Sequence, residues 1–351
     1  MTSTAKTSAD DGPVGRPPRR KRSRVLRVVT IMLGVLVILG LVGAVTQVLL
    51  ERRDAAAHPA PGEFVALPDG RSLHLQVSGE GDGPVIVLEA GASASSSSWA
   101  WIQPRLSERY QVVSYDRAGL GWSDPSTHGS DVEPVVGDLH AALDERGLDG
   151  PYVLVGHSLG GHYARAFAAA YPDEVVGLVL VDPSHERQGE AVGEDYLAGL
   201  GPMMTALELA ARVGLTRVYN PMAVELGLPE PQRSQIQAEQ RSVQWVRSAR
   251  REITALDRIG AQVAGQDLGD IPLRVLNAGK APNADGQEQV DAILPLRQEL
   301  AETLSTRGQA VLLPEAEHIT IVTEQEFAAQ VADAVIEVAD LAAADAATQE
   351  P

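Results

Sequence analysis

Residues 152–163 read Tyr-Val-Leu-Val-Gly-His-Ser-Leu-Gly-Gly-His-Tyr, an apolar run that breaks into G-x-S-x-G and continues into Ala-rich sequence. A serine hydroxyl is a weak nucleophile at neutral pH. To attack a carbonyl carbon it has to be held clear of the packing, beside a base and beside backbone donors. A sharp strand-to-helix turn presents it in that way. Such a turn needs small residues two before and two after the serine, where a side chain would meet the neighbouring strand or helix. Gly156 and Gly160 occupy those positions around Ser158. The five-letter pattern is short for a chain with 33 glycines, so its context carries the weight. Val153–Val155 is a buried-strand run, and Leu159–Tyr171 is rich in helix formers and stops before Pro172.

The remaining sequence must hold that corner. Candidate strands are Phe64–Leu67, Leu73–Val77, Val85–Glu89, Gln111–Tyr115, Tyr152–Val155, Leu178–Val181, Leu273–Asn277 and Ala310–Leu313. The first two flank Pro68-Asp69-Gly70, a hairpin-type turn. From Val85 onward the intervals read as helices: Trp99–Arg109, Val132–Arg146, Leu159–Tyr171, Gln287–Thr306 and Glu324–Ala343. Such alternation predicts an α/β fold, a mostly parallel eight-stranded sheet with helices on both faces. Reactive groups gather at the carboxyl ends of the strands in sheets of this kind, and Ser158 lies just past one. The rhythm breaks between Asp182 and Asp270. Roughly ninety residues are too many for a structureless loop, so Tyr196–Val213 and Pro231–Ile259 read as helices of a cap over the serine. Tyr196, Leu197, Leu200, Met203, Met204, Leu207 and Leu209 give the cap an apolar face suited to packing.

The chain has 351 residues, 44% hydrophobic and 4% aromatic, so its core is mainly aliphatic. It has no cysteine, which excludes disulfides, a thiol nucleophile and thiolate metal sites. Net charge is −18, unevenly placed: residues 1–27 hold eight Lys/Arg and two Asp. The acidic body lacks the basic footprint that nucleic-acid binding requires. No residues have metal-ligand spacing, and no G-x-G-x-x-G follows a strand, so no cofactor is expected.

Val28 to Leu50 carries no charged side chain, long enough to cross a hydrocarbon core as a helix. Arg16, Arg19, Arg20, Lys21, Arg22, Arg24 and Arg27 precede it, which predicts a cytoplasmic N-terminus and an exported body. The alternative is a signal peptide cleaved near Ala55–Ala57 and a secreted product; the length of the run and the charged Glu51–Asp54 favour a retained anchor. The expected organisation is a disordered tail over residues 1–24, a transmembrane helix over 25–50 and a linker over 51–62. A core follows over 63–185 and 271–344, interrupted by a cap over 186–270, with a disordered tail over 345–351.

Four segments of the body resemble the α/β-hydrolase fold: Leu88–Ala92 with Trp99, Tyr115–Ser123, Gly156–Gly160, and Glu317-His318 after the last strand. The order of strand, nucleophile, cap and histidine is similar as well. The resemblance implies that His318, one of eight histidines, is the general base, and imidazole suits proton transfer at neutral pH. It implies an acid either at Asp182, at a strand's carboxyl end, or at Asp285, after the strand that follows the cap; Asp182 needs less loop reach. One oxyanion donor is expected at the Leu159 N–H. By resemblance the other is the Ala92 N–H, where Ala90-Gly91 replaces the common His-Gly pair.

His157 reads as a packing and turn residue, and His162 as either pocket-lining or helix surface. Ser93 and Ser95–Ser98 read as polar loop, and Asp116, Arg117 and Ser123 as structural support in which Asp–Arg contacts brace the loop. The expected activity is a membrane-anchored serine hydrolase acting on a small ester or acyl substrate. Acyl transfer, C–C hydrolysis or perhydrolysis on the same residues, or a non-catalytic binding or signalling role, are the alternatives.

Overall fold

The computed structural model describes residue 2, residues 19–224 and residues 226–349. Eight strands form one sheet: β1 Glu63–Ala66, β2 Ser72–Ser78, β3 Val85–Glu89, β4 Val112–Tyr115, β5 Tyr152–His157, β6 Val175–Val181, β7 Leu273–Lys280 and β8 Gly308–Glu317. Their order is β1-β2-β4-β3-β5-β6-β7-β8. β1–β2 and β2–β4 pair antiparallel, and every other neighbour is parallel. The helices are α1 Arg19–Ala57, α2 Ile102–Leu106, α3 Val132–Arg146, α4 Gly160–Ala170, α5 Gln188–Val192, α6 Glu194–Arg212, α7 Gln232–Glu239, α8 Val243–Ile253, α9 Leu256–Gln262, α10 Ala284–Thr303, α11 Thr320–Thr323 and α12 Gln325–Gln349.

The inner strands β3 to β6 are largely apolar and buried because both faces of the sheet are covered there, whereas the edge strands β1 and β8 are mostly exposed. Alternate side chains enter two cores. Val85, Val87, Leu154, Leu178 and Val275 pack with α3, α4 and α10 residues such as Leu139, Phe167 and Leu300. Ile86, Leu88, Val153, Val179 and Leu276 pack with Ile102, Val331 and Val335 of α2 and α12. β5 is the fifth strand across the sheet, so its carboxyl end, where Ser158 follows, is flanked by β3 and β6.

The cap lies between β6 and β7, as its lack of strand signals implied, and α5 to α9 form it. The single stretch read over Pro231–Ile259 is three helices. Ser242 accepts a hydrogen bond from Trp245 N (3.0 Å) and so starts a new helix in its middle. The stretch read over Trp99–Arg109 is a 3₁₀ turn, Ser96–Trp99, followed by the short α2. Within the apolar set of α6, Met204 and Leu207 are buried whereas Met203 and Leu209 are exposed. The side chains of Tyr196, Leu197 and Leu200 lie outside the described residues.

Three boundaries differ from expectation, the first being the start of α1 at Arg19, inside the stretch read as a disordered tail over 1–24. The N-terminal helix runs to Ala57, through most of the stretch read as a linker over 51–62. Glu51 to Ala57 are good helix formers, and only Pro59 opposes continuation. At the other end α12 continues to Gln349, through most of the tail read as disordered over 345–351; the segment is rich in alanine, and Asp345 pairs with Arg307. Residues 1 and 3–18 of the basic tail lie outside the described residues.

Candidate active site

The turn after β5 is sterically demanding. A Cβ on Gly156 would lie 2.6 Å from Gly160 O, and one on Gly160 would lie 2.3 Å from Glu89 O. Ser158 between them has φ 53°, the left-handed region that residues with a side chain avoid. Asp182 (φ 43°) and Ser93 (φ 57°) share that conformation. Ser93 and Ser158 line one cavity and Asp182 lies behind it against His318, and all three mark backbone strain held in place by the surrounding structure.

His318 Nε2 lies 3.0 Å from Ser158 Oγ, and His318 Nδ1 lies 2.5 Å from Asp182 Oδ2. Ser158 and Asp182 are buried, and the His318 side chain is 43% exposed. Asp182 is the carboxylate that the fold brings to this histidine. Asp285 is exposed in the first turn of α10, because Asn283 caps that helix (2.8 Å to Gly286 N) and draws the chain straight into it after β7. Asp182 Oδ1 accepts from Ala278 N at 2.8 Å and pairs with Arg297 of α10. Burial opposes its charge. The His318 hydrogen bond and the Arg297 charge outweigh that effect and hold its carboxyl below the ordinary value of 3.8. Arg297 carries no local sequence signal, and its place follows only from the packing of α10 beside β6 and β7.

His157 is buried, and its Nε2–H donates to His318 O at 2.9 Å, which ties the β8–α11 loop to the turn. Burial, and then the proximity of His318, push its pKa down to about 3, so the ring is neutral. His162 is neither pocket-lining nor surface. It is buried beneath the cap beside Gly260 and Glu186, since α4 is covered from Gly160 to Ala168, and burial pushes its pKa down to about 3 as well.

The loop after β3 passes close to the serine: a Cβ on Gly91 would lie 2.9 Å from His157 Nδ1 and 3.3 Å from Ser158 Cβ. Arg117 Nη1 donates to Ala90 O (2.5 Å) and Nη2 to Gly91 O (2.6 Å). A trans peptide sets its C=O and N–H on opposite sides. Tethering Gly91 O to Arg117 therefore turns the Ala92 N–H the other way. Neither the Ala92 nor the Leu159 N–H has a hydrogen-bond partner among the described residues. The loop is also held from above, because Ser93 N donates to Glu252 of α8 (2.6 Å) and Ser93 O accepts from Trp245 Nε1 (2.8 Å).

Asp116 and Arg117 do not brace each other, contrary to expectation. Asp116 accepts from His74, Ser96 N and Trp122 N. Arg117 pairs with Glu89 and Glu252, because its longer side chain crosses to the cap. Ser98 bonds Ser95 O within the turn, while Ser96 accepts from Gln76 of β2 and Ser97 bonds Gln235 of the cap, so the serine-rich run ties this loop to its surroundings. A cavity of about 260 Å³ opens over Ser158 and His318, walled by Ala92, Leu226, Glu239 and Trp245 among others.

The model of the Alpha/beta hydrolase family matches residues 86–334. The chain belongs to that family. A Schizosaccharomyces pombe protein described as uncharacterized is 32% identical over 189 residues, 51% of this chain and 34% of that one. Lipase LipV of Mycobacterium tuberculosis is 43% identical over 86 residues, 24% of this chain and 31% of that one. This chain thus spans about a third of the length of these curated relatives. Among solved structures, a thermophilic esterase from Thermogutta terrifontis superposes with a TM-score of 0.57 at 21% identity, over 80% of this chain and 98% of that one. The eight-stranded, mostly parallel sheet with its inserted cap is the α/β-hydrolase fold expected from the four sequence segments.

Proposed function

We propose that the protein hydrolyses small carboxylic esters through an acyl-enzyme, with Ser158 as nucleophile, His318 as general base and acid, and Asp182 as the carboxylate that orients it. The observation that carries this reading is His318 bridging Ser158 Oγ and Asp182 Oδ2, at 3.0 and 2.5 Å. Ser158 Oγ forms a bond to the acyl carbon as His318 Nε2 takes its proton. The oxyanion is held by the N–H groups of Leu159 and Ala92, neither of which has a hydrogen-bond partner among the described residues. The ester C–O bond then breaks, and His318 gives the proton to the departing alcohol. Water repeats the sequence, releasing the acid and restoring Ser158. Asp182 remains ionised throughout, as its lowered pKa favours. No cofactor takes part in this scheme.

The N-terminal helix supports a membrane location. Residues 24–57 form one apolar helix whose most apolar stretch is unburied, and the basic residues before it favour a cytoplasmic N-terminus with the body on the other side. Residues 186–270 act as the cap that admits substrate. The test is a panel of esters of increasing acyl length with the full chain in detergent and Ser158→Ala alongside. Turnover that Ser158→Ala abolishes supports the reading; turnover that survives it removes it.

A further inference from the structure

The N-terminal helix does not leave the body as a free stalk. A side chain at Gly43 would lie 2.4 Å from Val213 O, and one at Gly40 would lie 4.0 Å from Val213 Cγ1. Gln47 is buried; it donates to Arg241 O (2.9 Å) and accepts from Arg217 Nε (2.7 Å). Glu51 accepts from Val243 N (2.7 Å), and Arg217 also reaches Asp54 (2.8 Å). The helix is therefore fastened to the cap over Gly43–Asp54, and part of that stretch belongs to its apolar run.

This contact sets a depth. A hydrocarbon core of about 30 Å takes ~20 helical residues at 1.5 Å each. Counted from Val28, the first residue after Arg27, it ends near Gln47. Gly43 then lies about 6 Å inside that boundary, and the cap turn at Val213 lies beside it. The end of α6 and the turn that follows it carry Leu209, Leu215, Val218 and Tyr219, which are 60, 58, 87 and 74% exposed. In water such a cluster is an unusual liability for a soluble surface. At this depth it matches the ~5–10 Å to which interfacial elements bury an apolar face. Arg217, between them, folds back along α1 toward Asp54, the direction in which a cation escapes hydrocarbon.

We infer that the cap segment Leu209–Tyr219 inserts into the phospholipid leaflet at the C-terminal end of the N-terminal helix. The inference rests on reading that helix as membrane-spanning. It deepens the substrate class. Met222, Val224 and Leu226, which follow the inserted turn directly, line the Ser158 cavity. The cavity mouth is thus set at the leaflet, and the fitting substrate is an amphiphilic ester resident in the bilayer.

The chain's lack of cysteine makes the test clean. Single variants L36C on the helix, V218C on the cap turn and D144C on α3 are labelled with a polarity-sensitive fluorophore. The full chain is reconstituted in phosphatidylcholine vesicles with brominated acyl chains. Quenching at 36 and 218 but not at 144 is the expected result. Quenching at 36 without 218 overturns the insertion and leaves the anchor intact. No quenching at 36 overturns the anchor and the insertion with it. In a second measurement, the turnover ratio of a vesicle-embedded long-chain ester to a water-soluble short one falls about tenfold in the double variant V218D/Y219D. An unchanged ratio overturns the link to substrate delivery. Neither fluorescence readout depends on activity, so failure of the proposed chemistry is scored separately.

Discussion

Arg297 and Asp182 form a buried ion pair directly behind His318, joining α10 to the carboxyl end of β6. The same arginine donates to Pro183 O at 2.8 Å, which fixes the strained backbone that carries Asp182. A carboxylate in this position must stay ionised to orient an imidazole, and the His318 hydrogen bond together with the guanidinium charge offsets its burial.

Removing the charge of Asp182 while keeping its shape tests the role directly. Asp182→Asn is expected to lower kcat by about ten-thousand-fold, because the amide favours the wrong imidazole tautomer. Ester hydrolysis by the purified full chain measures it; a loss under tenfold would contradict the role.

Arg297→Met leaves Asp182 buried without its cation, a change that typically costs about 3–5 kcal/mol. The sign with pH follows from the direction of the Asp182 shift. Its folded pKa lies below 3.8, so its contribution to stability is present above that value and is lost as pH falls through the folded value. The Tm gap between wild type and Arg297→Met is expected to be largest near neutral pH and to narrow below about 3.8. Thermal melts across pH 3–7 check it.

Much of the site was legible in the chain, and the limits are physical. Gly156, Ser158 and Gly160 are a local pattern, because the turn is made by adjacent residues. The inner strands were legible because the part of the sheet covered on both faces needs nearly unbroken aliphatic runs. The choice between Asp182 and Asp285 was not local; it depended on Asn283 capping α10 and on the depth of β6. Arg117 meets Glu252 across 135 positions and Arg297 meets Asp182 across 115, and no periodicity encodes either pairing. The helix past Leu50 was readable from propensity alone, but the charged residues at 51–54 drew attention to the end of the apolar run instead.

Arg117→Lys keeps a buried cation but removes the fork that holds Ala90 O and Gly91 O. The Ala92 N–H then loses its fixed direction. Loss of one oxyanion donor typically lowers kcat by about 10²–10³-fold, and the expectation here is a fall in kcat of at least tenfold with KM changed far less. Steady-state kinetics on one ester separates the two; an effect confined to KM would contradict the geometry.

Glu239 of α7 sits in the wall of the Ser158 cavity, and burial pushes its pKa up to about 8, with the Asp116 charge adding to the effect. A raised acid favours the folded state while protonated, and that advantage is lost as pH rises from the ordinary value of 4.5 through about 8. Glu239→Gln is therefore expected to raise Tm relative to wild type at pH 8.5 and to show a smaller difference at pH 5. A difference independent of pH would contradict the assignment.

Gly160→Ala places a methyl 2.3 Å from Glu89 O, a backbone atom that has no room to move. Gly137→Ala, where nothing lies within 4 Å, is the control. The first is expected to destabilise by several kcal/mol and the second to be neutral or slightly stabilising, as Gly in a helix interior costs about 1 kcal/mol relative to Ala. Chemical denaturation of both variants measures it.

Intact-mass measurement after exposure to a fluorophosphonate reports on the nucleophilicity of Ser158 itself. One covalent adduct is expected on the wild-type chain, located to the peptide holding Ser158, and none on Ser158→Ala. The labelling rate is expected to fall by orders of magnitude in His318→Ala. A folded wild-type chain that takes no label, or an adduct that persists in Ser158→Ala, would contradict Ser158 as the nucleophile.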